Sequence, residues 1–206
     1  MPTFSISVRL SLQAIQNITV ENRTDRIILG IDPGTNIMGY GVICDNGRAM
    51  TLLAMGVLKL SKYTSQPLRL RKIFESTLSL VEQYKPDEFS IEAPFYGKNV
   101  QSMLKLGRAQ GVAMAAALYR DIPIFEYSPL EIKKSITGNG SSSKEQVAAM
   151  LFRLLKFDNN PETLDATDGL AAAVCHYFKR TKSTGGKAFT GWKSFLADNP
   201  DRLKKS

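Results

Sequence analysis

The chain has 206 residues and a formal net charge of +8 at pH 7. This length suits one well-buried domain, and the basic charge favours a polyanionic partner such as nucleic acid. No apolar run approaches the roughly 20 residues of a membrane-spanning helix, and the first residues lack a signal-peptide pattern, so a cytoplasmic location with no membrane contact is expected.

The first half of the chain predicts strands followed by one helix. Residues 1–26 are polar and weakly periodic, which is typical of an N-terminal extension outside the core. Short apolar runs broken by turn signals predict three meandering strands within residues 27–60. Apolar residues three and four positions apart then predict a helix from Gln66 until Pro86 ends the pattern.

The second half alternates helices with strands. EFSIEA and IPIFEY are predicted strands, a helix from Asn99 to Arg120 lies between them, and further helices are predicted at 129–136, 144–156 and 164–180. This order predicts one α/β domain over residues 27–180, with a five-stranded mixed sheet and helices on both faces. Residues 181–206 form a basic tail, for which DNA contact and simple solvation are both open.

The cysteines and the single histidine give little sign of chemistry. Cys44 and Cys175 lack zinc-site spacing, so buried free thiols are expected. His176 lies in an alanine-rich helical stretch without a nucleophile motif, which argues against a histidine-based triad.

Acidic residues fall where predicted strands end and where a predicted helix begins: Asp32, Glu92, Asp165 and Asp168. Each has an ordinary explanation by itself, namely a turn for the first, a salt bridge for the second, and favourable first-turn charge for the helical pair. The spacing of three places the helical pair on one face. The chain as a whole is basic, so four acids at such positions favour a single explanation. They would form one carboxylate site that holds two divalent cations about 4 Å apart for phosphodiester hydrolysis.

Three sequence blocks together resemble the RuvC family of bacterial Holliday-junction resolvases: ILGIDPGTNIMGYGVI, IEAPFYGKN with the following LKLG, and LDATDGLAAAV. The resemblance implies a ribonuclease-H-like fold and a Mg²⁺-dependent homodimer that resolves four-way DNA junctions by paired symmetric nicks in recombination and repair. It also implies two Mg²⁺ per active site, replaceable by Mn²⁺, products with 5′-phosphates, and a RuvA–RuvB branch-migration complex as partner.

The resemblance also assigns roles to residues. It makes a catalytic, metal-binding tetrad of the four acids Asp32, Glu92, Asp165 and Asp168. Phe95 matches an aromatic that stacks on junction bases, although packing against the next helix would also explain it. Lys133 and Lys144 match residues that contact the DNA backbone. Independently of the resemblance, the Gly/Ser loop before Lys144 is typical of a helix N-cap and of a phosphate-binding site.

The dimer is expected to form through the helix from Asn99 to Arg120. Its small residues Gly107, Gly111 and Ala115 form a stripe that would allow close approach of another helix, although the stripe could equally face the sheet.

Two other functions compete with the nuclease. An ATPase of the actin-like superfamily shares the fold and the Asp-Pro-Gly-Thr turn, but it needs a second nucleotide-binding domain for which this length leaves no room. A non-catalytic junction-binding protein is the other, and the four acids argue against it, because carboxylates facing DNA repel phosphate unless metal offsets them.

Overall fold

A computed structural model describes residues 25–94, 99–157 and 164–185, with side chains as far as residue 180. The elements in chain order are β1 (Arg26–Asp32), β2 (Ile37–Asp45), β3 (Met50–Lys59), α1 (Gln66–Tyr84), β4 (Glu88–Glu92), α2 (Val100–Leu118), β5 (Ile124–Tyr127), α3 (Pro129–Thr137), α4 (Lys144–Leu155) and α5 (Leu164–Gly185). Every predicted strand and helix is present, and α5 continues beyond the predicted end at residue 180. Most of the predicted extension and tail, and Phe95, lie outside the described residues.

The strands form one five-stranded sheet in the order β3-β2-β1-β4-β5. The first three strands pair antiparallel, whereas β1 pairs parallel with β4 and β4 pairs parallel with β5. The predicted mixed sheet is therefore confirmed. Because β1 lies at its centre, the end of β1 is surrounded by other elements.

Alternation along each strand supplies both faces of the sheet with apolar residues. In β1, Leu29 and Ile31 belong to a core formed with α1 and α2, whereas Ile28 belongs to a second core formed with α3, α4 and α5. The predicted helices on both faces are confirmed. None of the helices in the described ranges is long and apolar enough to cross a membrane.

Serine caps fix the starts of α3 and α4. Ser128 and Ser143 each accept a hydrogen bond from the backbone N–H three residues later, and the side chains of Glu131 and Gln146 bind back to the cap N–H groups. The predicted cap at Ser143 is thus confirmed, and both helices begin at defined positions beside the sheet.

His176 takes part in a buried polar cluster near the start of β4. Its Nδ1 lies 2.7 Å from the Tyr127 hydroxyl and its Nε2 lies 3.0 Å from Glu88 Oε2. Glu88 also receives a hydrogen bond of 3.0 Å from Arg26. Within the described residues, His176 therefore joins β4, β5 and α5 through its two ring nitrogens.

Candidate active site

Two parallel strands bring Asp32 and Glu92 to the same edge of the sheet. Ile31 pairs with Ile91, so Asp32 and Glu92, the residues that follow them, are neighbours. Ser90, two positions before Glu92, donates a hydrogen bond of 2.7 Å to the Ala172 carbonyl of α5. Since side chains alternate along a strand, Glu92 lies on the same face of the sheet as Ser90, toward α5.

Glycines let α5 lie directly against the strands that end at this edge. A Cβ at Gly39 would lie 2.3 Å from the Asp165 carbonyl oxygen, one at Gly41 would lie 2.4 Å from Leu170 Cα, and one at Gly30 would lie 2.3 Å from the Gly169 carbonyl oxygen. Any larger residue at these positions would push the helix away. The absence of side chains therefore brings the first turn of α5 to the strand ends.

The resulting cleft has a volume of about 420 Å³ and is lined by charged and apolar residues. Three of the acids predicted from sequence and both predicted lysines line it, namely Asp32, Glu92, Asp168, Lys133 and Lys144. The apolar part of the lining comes from α3, α4 and α5 and consists of Pro129, Ile132, Val147 and Ala171.

The charged forms of the acids in the cleft are disfavoured by burial and by one another. Burial, followed by the nearby carboxylates of Glu92 and Asp168, raises the pKa of Asp32 to about 8. Burial and the charge of Asp168 raise the pKa of Glu92 to about 7. Burial also raises the pKa of Asp168, against the opposing effect of Lys144. A bound cation would relieve this repulsion, which makes the cleft suited to positive ligands.

Lys144, the first residue of α4, joins the two acids of α5. Its Nζ lies 2.7 Å from Asp165 Oδ1 and 2.7 Å from Asp168 Oδ2. Burial alone would lower the pKa of Lys144, but the hydrogen bonds to the two carboxylates outweigh it and the pKa is raised. Lys144 therefore carries its charge inside the cleft.

The carboxylates have the chemistry of a divalent-metal site, although they are not grouped around one point. Oxygen ligands from Asp and Glu are those that Mg²⁺ prefers. Within the described residues, however, no three Asp, Glu, His or Cys side chains are close enough to hold one ion. The oxygen donors of the cleft fit a hard cation, whose charge would offset the repulsion between them.

Arg69 of α1 holds the loop that follows Asp32. Its Nε donates to the Tyr63 carbonyl at 2.9 Å, and its Nη1 donates to the Thr35 carbonyl at 3.0 Å and to Asn36 Oδ1 at 2.8 Å. Within this loop, a Cβ at Gly34 would lie 1.7 Å from the Ile37 carbonyl oxygen. Sequence reasoning missed Arg69, because nothing local connects it with a loop more than 30 residues earlier.

The structure brings the predicted acids and lysines together from separate parts of the chain. Asp165 takes part through Lys144 and through its charge on Asp32, whereas the other acids line the cleft directly. The apolar cleft residues of α3 and α4 were missed, since their helical pattern indicates only a buried face.

The sequence matches the family described as crossover junction endodeoxyribonuclease RuvC over residues 28–176. The chain belongs to the RuvC family. A RuvC crossover junction endodeoxyribonuclease of Cytophaga hutchinsonii is 59% identical over 180 residues, which cover 87% of this chain and 89% of that protein. Its counterpart in Bacteroides fragilis is 60% identical over 182 residues, covering 87% of this chain and 97% of that protein.

Solved RuvC structures have the same fold. Thermus thermophilus RuvC in complex with a Holliday junction substrate superimposes with a TM-score of 0.71 at 29% identity, covering 77% of this chain and 97% of that one. Another T. thermophilus RuvC structure gives a TM-score of 0.69 at 28% identity, with the same coverage of both chains. The ribonuclease-H-like α/β fold implied by the resemblance is therefore confirmed.

Proposed function

We propose that this RuvC protein is a Mg²⁺-dependent endonuclease that resolves Holliday junctions by paired symmetric nicks in DNA recombination and repair. The observation that carries the proposal is that Asp32, Glu92 and Asp168 line one cleft, with Asp165 joined to Asp168 through Lys144, in a chain of this family. The named activity of the relatives, crossover junction endodeoxyribonuclease, is the activity expected of such a cleft. An ATPase of the actin-like superfamily is not supported, because the family match covers most of the chain.

The catalytic residues of the proposal are Asp32, Glu92, Asp165 and Asp168, which would share two Mg²⁺ ions, with Mn²⁺ as a substitute. When bound, the metal supplies Lewis acidity toward the scissile phosphate and stabilises charge on the leaving oxygen. The parallel pairing of β1 with β4 places Asp32 and Glu92 side by side, so the scissile phosphate is proposed to bind at this edge of the sheet. The expected products carry a 5′-phosphate and a 3′-hydroxyl.

DNA binding is assigned to the lysines of the cleft and to Phe95. Lys133 and Lys144 line the cleft from α3 and α4, and ammonium groups there would attract the phosphate that the acids alone repel. Phe95 follows Glu92 by three residues, and its aromatic ring is proposed to stack on junction bases. The RuvC of T. thermophilus was solved with a Holliday junction substrate, which supports the same class of substrate here.

The dimer is proposed to form through one face of α2. The apolar and small residues of this face point away from the sheet and are exposed, including Val100, Leu104 and Leu118. At Gly107 and Gly111, an added Cβ would meet nothing within 4 Å. An exposed apolar stripe with small residues at its centre favours close packing of a second copy. Leu104→Asp is expected to convert the dimer to a monomer in sedimentation equilibrium, whereas the exposed Leu130→Asp serves as the matched control and should leave it dimeric.

The remaining proposals concern the domain boundaries, the cellular location and the partner complex. The nuclease domain is proposed to comprise residues 27–180, with an N-terminal extension at 1–26 and a basic tail at 181–206. A RuvA–RuvB branch-migration complex in the cytoplasm is the expected partner, on the strength of family membership.

Cleavage of a synthetic mobile four-way junction tests the proposal. The junction and a linear duplex of the same sequence are incubated with the protein, with and without Mg²⁺, and strand ends are mapped on denaturing gels. Symmetric nicks that form only in the junction, only with metal, and that ligase can seal are the expected result. Equal cutting of the duplex would refute junction selectivity, and binding without cleavage under any divalent metal would favour a non-catalytic junction-binding protein.

A further inference from the structure

Lys144 has a position that differs from that of a simple DNA-contact residue. Its ammonium is held at 2.7 Å by both Asp165 and Asp168. An ammonium has three N–H donors, so these pairs leave one for any other partner. A divalent cation held by these two carboxylates would therefore compete with Lys144 for the same pair of side chains.

We propose that Lys144 is an internal counter-cation of the metal-free cleft, which a divalent cation displaces from Asp165 and Asp168, and that the displaced ammonium then binds a DNA phosphate. This inference rests on the proposed function, since it takes the two acids to be metal ligands. The exchange couples two events: metal binding releases a phosphate-binding group, and by linkage a phosphate that attracts Lys144 frees the acids for metal.

The backbone of Lys144 is fixed, so the exchange involves only its side chain. Lys144 directly follows the N-cap Ser143, whose hydroxyl accepts a hydrogen bond from the Gln146 N–H and whose own N–H donates to Gln146 Oε1 at 2.9 Å. At this end of a helix, the macrodipole does not favour a positive charge. The two carboxylates are therefore what holds the ammonium in place.

The ion pairs are accessible enough to break. Exposed fractions are 36% for the side chain of Lys144, 49% for that of Asp165 and 27% for that of Asp168. Ion pairs at such partly solvated sites are weak and exchange readily. A divalent cation carries twice the charge of the ammonium, and Asp32 and Glu92, which line the same cleft, offer it further oxygen ligands.

Lys133 provides the matched control. It lines the same cleft from α3 and its charge acts on Glu92 and Asp168. Among the described ion pairs, however, none joins Lys133 to Asp165 or Asp168. Replacing either lysine removes one positive charge from the cleft, but only the replacement of Lys144 removes the proposed competitor for the metal-ligand oxygens.

Binding of Mn²⁺ alone to the full chain, without DNA and at fixed pH 7.5, tests the exchange. Free Mn²⁺ is measured by electron paramagnetic resonance. Lys144→Met is expected to bind Mn²⁺ about tenfold more tightly than wild type, equivalent to about 1.4 kcal/mol, and Lys133→Met no more than about threefold. Lys144→Arg keeps the charge and the carboxylate contacts, so it should bind Mn²⁺ no more tightly than wild type.

Asp168→Asn separates failure of the inference from failure of the proposed function. Mn²⁺ affinity that is unchanged in Asp168→Asn would remove the metal-site assignment itself. Affinity that falls in Asp168→Asn but rises equally in the two Met variants would leave the metal site and overturn the exchange, because the lysines would then act only through general charge.

Junction binding tests the second half of the exchange. Fluorescence anisotropy is measured with Ca²⁺ or with EDTA, and a denaturing gel verifies that the DNA is intact. Lys144→Met should weaken junction binding at least about threefold in Ca²⁺ and leave it near the wild-type value in EDTA, where the wild-type ammonium is held by the acids. Equal weakening under both conditions would contradict release by metal.

Discussion

Gly39 is the position where one methyl group would most directly move the acids of α5. A Cβ there would lie 2.3 Å from the Asp165 carbonyl oxygen, whereas ordinary van der Waals contact begins at 3.4 Å. The difference of these two distances, 1.1 Å, is the distance by which the first turn of α5 must retreat in Gly39→Ala. The three nearest atoms belong to the backbone of Asp165 and Gly169, so rotation of a side chain cannot relieve the clash.

Gly39→Ala should lower the stability moderately and the cleavage rate strongly. Overpacking of this kind costs about 1–3 kcal/mol. For a chain of 206 residues, each kcal/mol lowers Tm by about 2–4 °C, so a fall of about 2–12 °C is expected. A displacement of about 1 Å between catalytic groups costs about 10²-fold in rate. Cleavage should therefore fall by about two orders of magnitude while the protein is still folded.

The assay combines circular-dichroism melting with single-turnover junction cleavage, performed well below the lower Tm. Ala49→Ser is the control, because it also adds one heavy atom, but at an exposed position in the β2–β3 turn, at the opposite end of the strands from the cleft. It should keep the wild-type cleavage rate and lose no stability. A Gly39→Ala variant with wild-type Tm and rate would refute the close packing of α5 on β2 and its role in positioning the acids.

Two further predictions concern ionisation. Burial lowers the pKa of His176 below its usual 6.5. The imidazole therefore binds a proton more readily in the unfolded chain than in the folded chain. Stability should then fall as pH drops below about 6.5, by up to about 1.4 kcal/mol per pH unit from this residue. Urea unfolding at pH 7.5 and 5.5 should show a smaller loss in His176→Gln than in wild type, and equal losses would contradict the prediction. The raised pKa of Asp32 means that its charged form is unfavourable in the folded, metal-free chain. Asp32→Asn should therefore raise the metal-free Tm at pH 7.5 by several degrees, whereas a lower Tm would indicate a structural role for the carboxylate.

Local sequence patterns were sufficient to predict the fold and the candidate acids. Strand ends and helix starts are marked by turn and cap residues, so Asp32 and Glu92 could be placed at the ends of strands. Their adjacency depends on the parallel pairing of β1 with β4, which a local pattern does not contain. The family resemblance supplied that long-range information.

The close packing of α5 could have been predicted more fully. The alanines of this helix, such as Ala166 and Ala171, permit a close approach to the sheet, and the matching glycines on the strands were not recognised from the sequence. Gly39 and Gly41 are two residues apart, so they lie on one face of β2. Glycine at alternate positions of a strand is the signal that was available.

The ion pairs of Lys144 and the cluster around His176 could not be predicted locally. Each joins residues on different elements, such as Lys144 with Asp165 and His176 with Glu88. Their existence depends on the relative placement of whole helices and strands. Composition and spacing carry no information about such distances.

Junction cleavage by Asp32→Asn most directly tests the central claim that the four acids form one metal-dependent nuclease site. Asp121→Asn is the matched control, since Asp121 is exposed, lies outside the cleft, and has a positive φ of 56° that asparagine tolerates. Asp32→Asn should lose cleavage in Mg²⁺ while binding the junction at least as tightly as wild type, and Asp121→Asn should cleave normally. Cleavage that persists in Asp32→Asn, or junction binding that is lost with it, would contradict the account.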